Sequence, residues 1–331
     1  MNFLDCEDLL EIPLENTDDS GPVYHVPVMA DEVAALLRPA PGMLLLDGTI
    51  GGGGHSERLL ESGAEVIGLD QDADAVAEAR RRLARFGSRL RVVEANFRET
   101  ESVLEDLGES RGLAGALLDI GVSSHQLDTA ERGFALMKDG PLDMRMNRSS
   151  GMSAADLVNT APVAELAKIF RDYGEEPRAM QIAARIGALR VQHPFATTFD
   201  LAAAVSSVAP RTSARHPATK VFQALRIAVN DELGALQEAL ETIPACLAPG
   251  GRLAVITFHS LEDRIVKHFF RDRSQEWNDR PEWPEPRRNP NRIFRLLTPH
   301  PMDAGIEEIA NNPRARSAKL RVVEKLQETT P

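Results

Sequence analysis

Residues 43 to 56 read MLLLDGTIGGGGHS, and this stretch decides the fold. Met43–Asp47 is an apolar run that ends in an acid, which predicts a strand buried on both faces; the glycines that follow at once predict a tight turn into a helix. Ala64–Asp70 (AEVIGLD) repeats the pattern of an apolar run closed by an acid. Asp72 is then placed to cap a helix in which Val76, Ala79, Leu83 and Phe86 recur at helical spacing. Leu90–Glu94 reads as a third strand, Ala114–Asp119 as a fourth and Arg252–Phe258 as a fifth. Before the fifth comes the turn Pro249-Gly250-Gly251; after it comes a helix with Leu261, Ile265, Val266, Phe269 and Phe270 on one face and Ser260 and Asp263 as its capping box. Short apolar runs alternating with amphipathic stretches predict an α/β fold, a mostly parallel sheet covered by helices.

More than 130 residues separate the fourth and fifth strands, far beyond the loops usual in such units. Residues 134–215 carry Leu157, Val163, Leu166, Ile169 and Phe170, then Met180, Ile182, Ile186 and Leu189, at helical spacing. They are expected to form a small all-helical domain inserted into a discontinuous α/β domain of residues 23–133 and 216–331. Residues 273–292, with four prolines and two tryptophans, break all periodicity and are expected to be a mobile surface loop.

Four consecutive glycines, Gly51 to Gly54, at a strand-to-helix junction let a ligand lie directly against backbone. A phosphate-binding loop pairing Gly48 with Gly53 requires Lys where Gly54 stands, so that reading fails. A dinucleotide fingerprint beginning at Gly51 and Gly53 needs Gly or Ala at Ser56, and one beginning at Gly52 and Gly54 needs it at Glu57; both are weakened. Asp70 follows at the end of the second strand, where a carboxylate accepts hydrogen bonds from ribose hydroxyls. Phe97 after the third strand and Asp119 after the fourth fall on the same sheet edge, suited to stacking on an adenine and to binding a polar group. A nucleoside-bearing cofactor is the expectation; a bare turn and a capping carboxylate are its plainer rivals.

With 331 residues and 43% hydrophobic side chains, the chain has enough apolar material for one large domain or two unequal ones. No apolar run is long enough to span a bilayer and no signal segment is evident, so a cytoplasmic location is expected. Cys6 and Cys246, the two cysteines, lie too far apart in unrelated contexts for a disulfide framework, and no cysteine-based metal site is expected. The net charge of −12 argues against a nucleic-acid partner, but seven of the acids and no Lys or Arg fall in residues 1–21, within an acidic tail (1–22) expected to be disordered. Within the body, Arg211, Arg215 and Lys220, then Arg287, Arg288 and Arg292, then Arg314, Arg316 and Lys319 form basic clusters that suit phosphates, with an ordinary solvated surface as the favoured reading of charge alone.

One further stretch runs LLDIGVSSHQLD from Leu117 to Asp128, followed by ERGF from Glu131 and DGPLDMRM from Asp139. With Gly52-Gly53-Gly54-His55-Ser56, HPATKVFQALRIAVN from His216, FHSLEDRIVK from Phe258 and NPRARS from Asn312, it resembles the MraW family of bacterial ribosomal RNA small-subunit methyltransferases over residues 23–324. The resemblance implies a class I S-adenosylmethionine-dependent methyltransferase, Rossmann-like, whose helical insertion helps hold RNA. It also implies methyl transfer from S-adenosylmethionine to the exocyclic N4 of a cytidine in the decoding region of 16S rRNA, within the small ribosomal subunit. Cofactor contacts are implied at Gly53, Gly54, His55, Asp70, Phe97, Asp119 and Gln126.

Many amino-methyltransferases carry an Asp/Asn-Pro-Pro-aromatic clamp after the fourth strand; here that position holds Asp119-Ile120-Gly121-Val122. Asp119 is therefore the candidate catalytic residue, with Ser123, Asp143, Arg145 and His259 as candidate substrate contacts. Ser260 lacks a nucleophile elbow and reads as a helix cap. Trp277 and Trp283, beside Arg287 and Arg288, suit stacking on RNA bases or anchoring of their loop. The competing functions are a non-catalytic S-adenosylmethionine-binding ribosome assembly factor and a small-molecule methyltransferase.

Overall fold

The computed structural model describes residues 27–209, 216–279 and 282–327. The acidic tail, Cys6, Arg211 and Arg215 lie outside the described residues. The described chain falls into two compact units, one of residues 27–121 and 233–327 and one of residues 122–232. Its helices are α1 (Ala30–Leu37), α2 (Gly54–Glu61), α3 (Ala73–Arg82), α4 (Thr100–Asp106), α5 (Ser124–Asp128), α6 (Ala154–Thr160), α7 (Val163–Asp172), α8 (Ala179–Leu189), α9 (Thr198–Ser206), α10 (Thr219–Asn230), α11 (Glu232–Cys246), α12 (Ser260–Ser274) and α13 (Ile306–Asn311).

The first unit is built on a sheet of β1 (Leu44–Asp47), β2 (Glu65–Asp70), β3 (Leu90–Glu94), β4 (Leu113–Asp119) and β5 (Leu247–Thr257), all parallel, in the order 3-2-1-4-5. Two-strand pieces β6 (Trp277–Asn278) and β7 (Arg287–Arg288) form a separate antiparallel ribbon, so the stretch expected to be a mobile loop is partly paired structure. Beyond β5 the sheet continues through β10 (Lys319–Lys325), antiparallel to it, and then β8 (Phe294–Leu296); β9 (Met302–Asp303) also pairs with β10. A parallel sheet of this order, with one reversed strand beside its fifth, is the class I methyltransferase arrangement.

Successive side chains of a strand point to opposite faces, and the two faces bury different cores. Leu44, Leu46, Ile67, Leu69, Leu118 and Val255 pack with Leu236 and Leu240 of α11 and Val266 and Phe270 of α12. Leu45, Val66, Leu117 and Ile256 pack on the other side with Val33 of α1, Leu59 and Leu60 of α2 and Leu83. Full burial contributes about 1.5–3 kcal/mol for each such side chain, and covering both faces leaves the C-terminal strand ends as the place for chemistry.

Two details differ from expectation. β5 begins at Leu247, pairing with Leu113 across a register shift, so Pro249-Gly250-Gly251 lies inside the strand as an irregularity. At α12 the cap is His259, with Glu262 as its reciprocal partner, one residue ahead of the expected Ser260 and Asp263. Asp263 instead pairs with Arg321 of β10.

The second unit takes in the stretch expected to be helical together with its flanks. Its core holds Leu166, Phe170, Ile182, Ile186, Leu201, Val205, Val221 and Leu225. Helices α6 and α9 begin with reciprocal capping boxes, Ser153 with Asp156 and Thr197 with Asp200, each worth about 1 kcal/mol. Asn230 ties the 144–146 segment to α10, accepting from the Met146 N–H and donating to the Met144 carbonyl at 2.8 Å each.

Candidate active site

The glycine turn is shaped by what crowds it. A Cβ on Gly48 would lie 2.6 Å from Leu118 Cδ2 and 3.0 Å from Phe97 Cβ, so a bare backbone is needed where β1, β4 and the residue after β3 meet. Gly51 has φ +50° and directs its N–H to Asp70 Oδ2 at 2.9 Å, while Asp72 N–H donates to Oδ1 at 2.9 Å. Burial raises the Asp70 carboxyl to about 7, against the pull of those two N–H groups. Gly53, with φ +82°, is the N-cap of α2, and Gly54 and His55 open that helix.

Beneath the turn, Asp47 is buried and accepts from the Ser56 hydroxyl at 2.7 Å and from Thr49 N–H at 3.3 Å. Burial pushes its carboxyl above the ordinary carboxylate value, with His55 and Ser56 opposing. Asp119 N–H donates to Thr49 Oγ1 at 2.7 Å, and Asp119 Oδ2 lies 3.4 Å from His55 Nε2. Asp119 Oδ1 is buried with no hydrogen-bond partner among the described residues. Phe97 opens a short turn capped by Asn96, whose side chain donates to Gln71 Oε1 at 2.8 Å. Gly53, Gly54, His55, Asp70, Phe97 and Asp119 thus gather at one sheet edge.

The remaining sequence-derived candidates are held by their own local partners. His259 belongs to the same unit but serves as the α12 cap, with Nε2 3.0 Å from Glu262 Oε1. Ser123, Gln126, Asp143 and Arg145 belong to the helical unit. There Gln126 N–H donates to Ser123 Oγ at 3.2 Å and Ser123 N–H to Gln126 Oε1 at 3.0 Å. Arg145 donates to both carboxylate oxygens of Asp143, from Nε at 2.7 Å and Nη2 at 3.0 Å. Burial opposes ionisation of Asp143, but Arg145 and Arg148 outweigh it and lower its pKa. Sequence reasoning passed over Thr49 and Ser56 as site residues. Both lie inside the decisive stretch, two and nine positions after Asp47, where a turn N–H and a helix-start hydroxyl fold back on a strand-end acid.

These side chains fit a nucleoside with a further hydrogen-bond donor beside it. Asp70 keeps a lone pair on each oxygen for a vicinal diol, Phe97 offers an aromatic side chain, and Asp119 Oδ1 awaits a donor. Fold and site together define a class I S-adenosylmethionine-dependent methyltransferase. The chain belongs to the MraW methylase family, whose model matches residues 22–326. It is 50% identical over 309 residues to the ribosomal RNA small subunit methyltransferase H of Heliobacterium modesticaldum, covering 92% of this chain and 99% of the relative. It is 52% identical over 311 residues to the protein of the same name from Anaeromyxobacter dehalogenans, covering 93% and 99%. Among the described residues, no helix is long and apolar enough to cross a membrane.

Proposed function

We propose that this enzyme methylates the exocyclic N4 of a cytidine in the decoding region of 16S rRNA, acting on the small ribosomal subunit. The observation that carries the reading is the buried, unpartnered Asp119 Oδ1 at the end of β4, beside the glycine turn. The relatives' names, ribosomal RNA small subunit methyltransferase H, supply the substrate class. Gly53, Gly54, His55, Asp70, Phe97, Asp119 and Gln126 hold the cofactor, Asp70 through the ribose hydroxyls and Phe97 against the adenine. When bound, S-adenosylmethionine would supply an electrophilic methyl group for the amine.

The lone pair of N4 is delocalised into the cytosine ring, so the protein's part is to orient the amine and encourage it to pyramidalise; orientation of this kind supplies several kcal/mol. Asp119 accepts the N4–H hydrogen bond and afterwards the proton. Ser123, Asp143, Arg145 and His259 contact the RNA, the helical unit holds it, and the basic clusters meet its phosphates.

The test is methyl transfer from labelled S-adenosylmethionine to small subunits from a strain lacking this enzyme, followed by nucleoside analysis. Label in N4-methylcytidine supports the proposal. Absence of label on both subunits and free RNA, with cofactor-binding protein, overturns it in favour of a non-catalytic assembly factor.

A further inference from the structure

Asp119 N–H is held by Thr49 Oγ1 at 2.7 Å, while its Oδ2 faces His55 Nε2 at 3.4 Å, an ion-pair distance without hydrogen-bond geometry. The two side chains are only 7% and 11% exposed, for His55 and Asp119 respectively. His55 is itself fixed by position: it lies in the first turn of α2, next to Ser56, whose hydroxyl is anchored on Asp47. Asp119 Oδ1 is left buried without a donor among the described residues. A buried carboxylate oxygen without a donor is costly, an arrangement that makes sense where the donor arrives with the substrate.

We propose that His55 is a positioning residue for the proton-transfer step: by facing Oδ2 it holds the Asp119 carboxylate in one orientation, with Oδ1 turned toward the target amine. This rests on the reading of the chain as an amino-methyltransferase. In the step itself the N–H bond of the newly methylated, positively charged nitrogen breaks, its electron pair stays on nitrogen, and an O–H bond forms at Asp119 Oδ1. A nitrogen conjugated with the ring becomes strongly acidic once methylated, so its acceptor needs to be charged and aimed rather than strongly basic. A cation against Oδ2 serves both needs.

The surroundings of His55 favour that cation. Burial disfavours the imidazolium, but Asp119 on β4, Asp47 on β1 and Glu308 on α13 outweigh it and raise the His55 pKa above the ordinary value. Glu308 is held in place by the Met29 N–H, which donates to its Oε1 at 2.6 Å.

Two measurements on the full chain decide the matter. In the ligand-free protein, the imidazole resonances of His55, followed by NMR against pH, are expected to titrate above the ordinary value of about 6.5 and to move down in Asp119→Asn; no difference between the two proteins overturns the proposal. Independently, His55→Gln and His55→Ala, checked for folding by thermal melts, are assayed in single turnover on small subunits and by calorimetry with S-adenosylhomocysteine. The expected result is weaker ligand binding, as for any residue that holds the cofactor, together with a rate at saturating cofactor still about 100-fold below wild type and an acid limb of the rate–pH profile moved to higher pH. An unchanged rate at saturating cofactor, or a rate loss wholly restored by saturation, marks His55 as a cofactor contact alone and overturns the proposal. If wild-type protein leaves the subunits unlabelled, the functional reading fails, while the NMR titration still judges the His55–Asp119 pair.

Discussion

Gly51 donates its N–H to Asp70 Oδ2 at 2.9 Å, so the glycine turn is fastened to the end of the neighbouring strand by the carboxylate proposed to receive the ribose. The bond is made to a group whose pKa burial has raised to about 7. A folded-state value above the unfolded one means that Asp70 contributes stability in full below about 4 and loses it as pH rises through 7. Ribose hydroxyls donate to the ionised form, so the cofactor works in the opposite direction. S-adenosylhomocysteine should bind about tenfold tighter at pH 8 than at pH 6 if Asp70 governs the change, and should raise the melting temperature more at pH 8. Calorimetry at the two pH values, with Asp70→Asn binding weakly and without that dependence, is the check. Equal slopes for wild type and variant would remove Asp70 from the cofactor site.

Arg321 fastens the reversed strand to the helix after β5, donating from Nε to Asp263 Oδ1 at 2.8 Å and from Nη2 to Oδ2 at 3.2 Å. The pair is 10% and 15% exposed, so removing one partner strands a largely desolvated charge. Arg321→Ala should destabilise the protein by about 3 kcal/mol, and the double variant with Asp263→Ala should be less destabilised than the two single losses added together. Urea titrations of the four proteins measure this; strict additivity would mean that the pair contributes no coupling.

Why that strand escaped sequence reading is instructive. β1 to β5 are legible because each holds a short apolar run near a turn or an acid, information carried within a few residues. Lys319–Lys325 reads KLRVVEK, with charges on four of its seven positions and no long apolar run, and it lies antiparallel near the sheet's edge. The site divides in the same way. Asp47, Asp70 and Asp119 announce themselves as acids at strand ends, and the glycines as a turn. Thr49 acquires meaning only when Asp119, 70 residues away, brings its N–H to it, and Glu308 only when it meets Met29 across 279 residues. His259 was legible as a residue at the end of β5, but its capping of α12 depends on a helix start one residue from where Ser260 and Asp263 placed it.

In the helical unit, Arg145 grips Asp143 with two hydrogen bonds. Arg145→Ala would loosen the 143–145 segment and leave a buried carboxylate with the backbone N–H of residue 145 at 3.2 Å and the longer contact to Arg148 at 3.6 Å. The expected result is at least a tenfold fall in turnover on small subunits with S-adenosylhomocysteine affinity unchanged, because the segment is proposed to touch RNA and not the cofactor. Parallel assays of initial rate and of calorimetric binding test it. A fall in cofactor affinity as large as the fall in rate would reassign the pair.

The ribbon of β6 and β7 offers a sharper test of the RNA reading. Arg288 lies over the Trp277 ring at 5.7 Å and Arg287 over the Trp283 ring at 4.8 Å, and Trp277 is 52% exposed. An exposed indole backed by a guanidinium presents a flat face to a base and a charge to its phosphate, and such stacking is worth about 1–3 kcal/mol per base. Trp277→Ala should therefore raise the KM for small subunits between about fivefold and 100-fold and leave kcat within twofold, and the rise of KM with added salt should flatten when Arg288→Ala is combined with it. If the ribbon only anchors its own segment, Trp277→Ala will instead lower the melting temperature while KM stays where it was. Steady-state kinetics on subunits at two salt concentrations, alongside thermal melts, separate a stacking platform from a structural clasp.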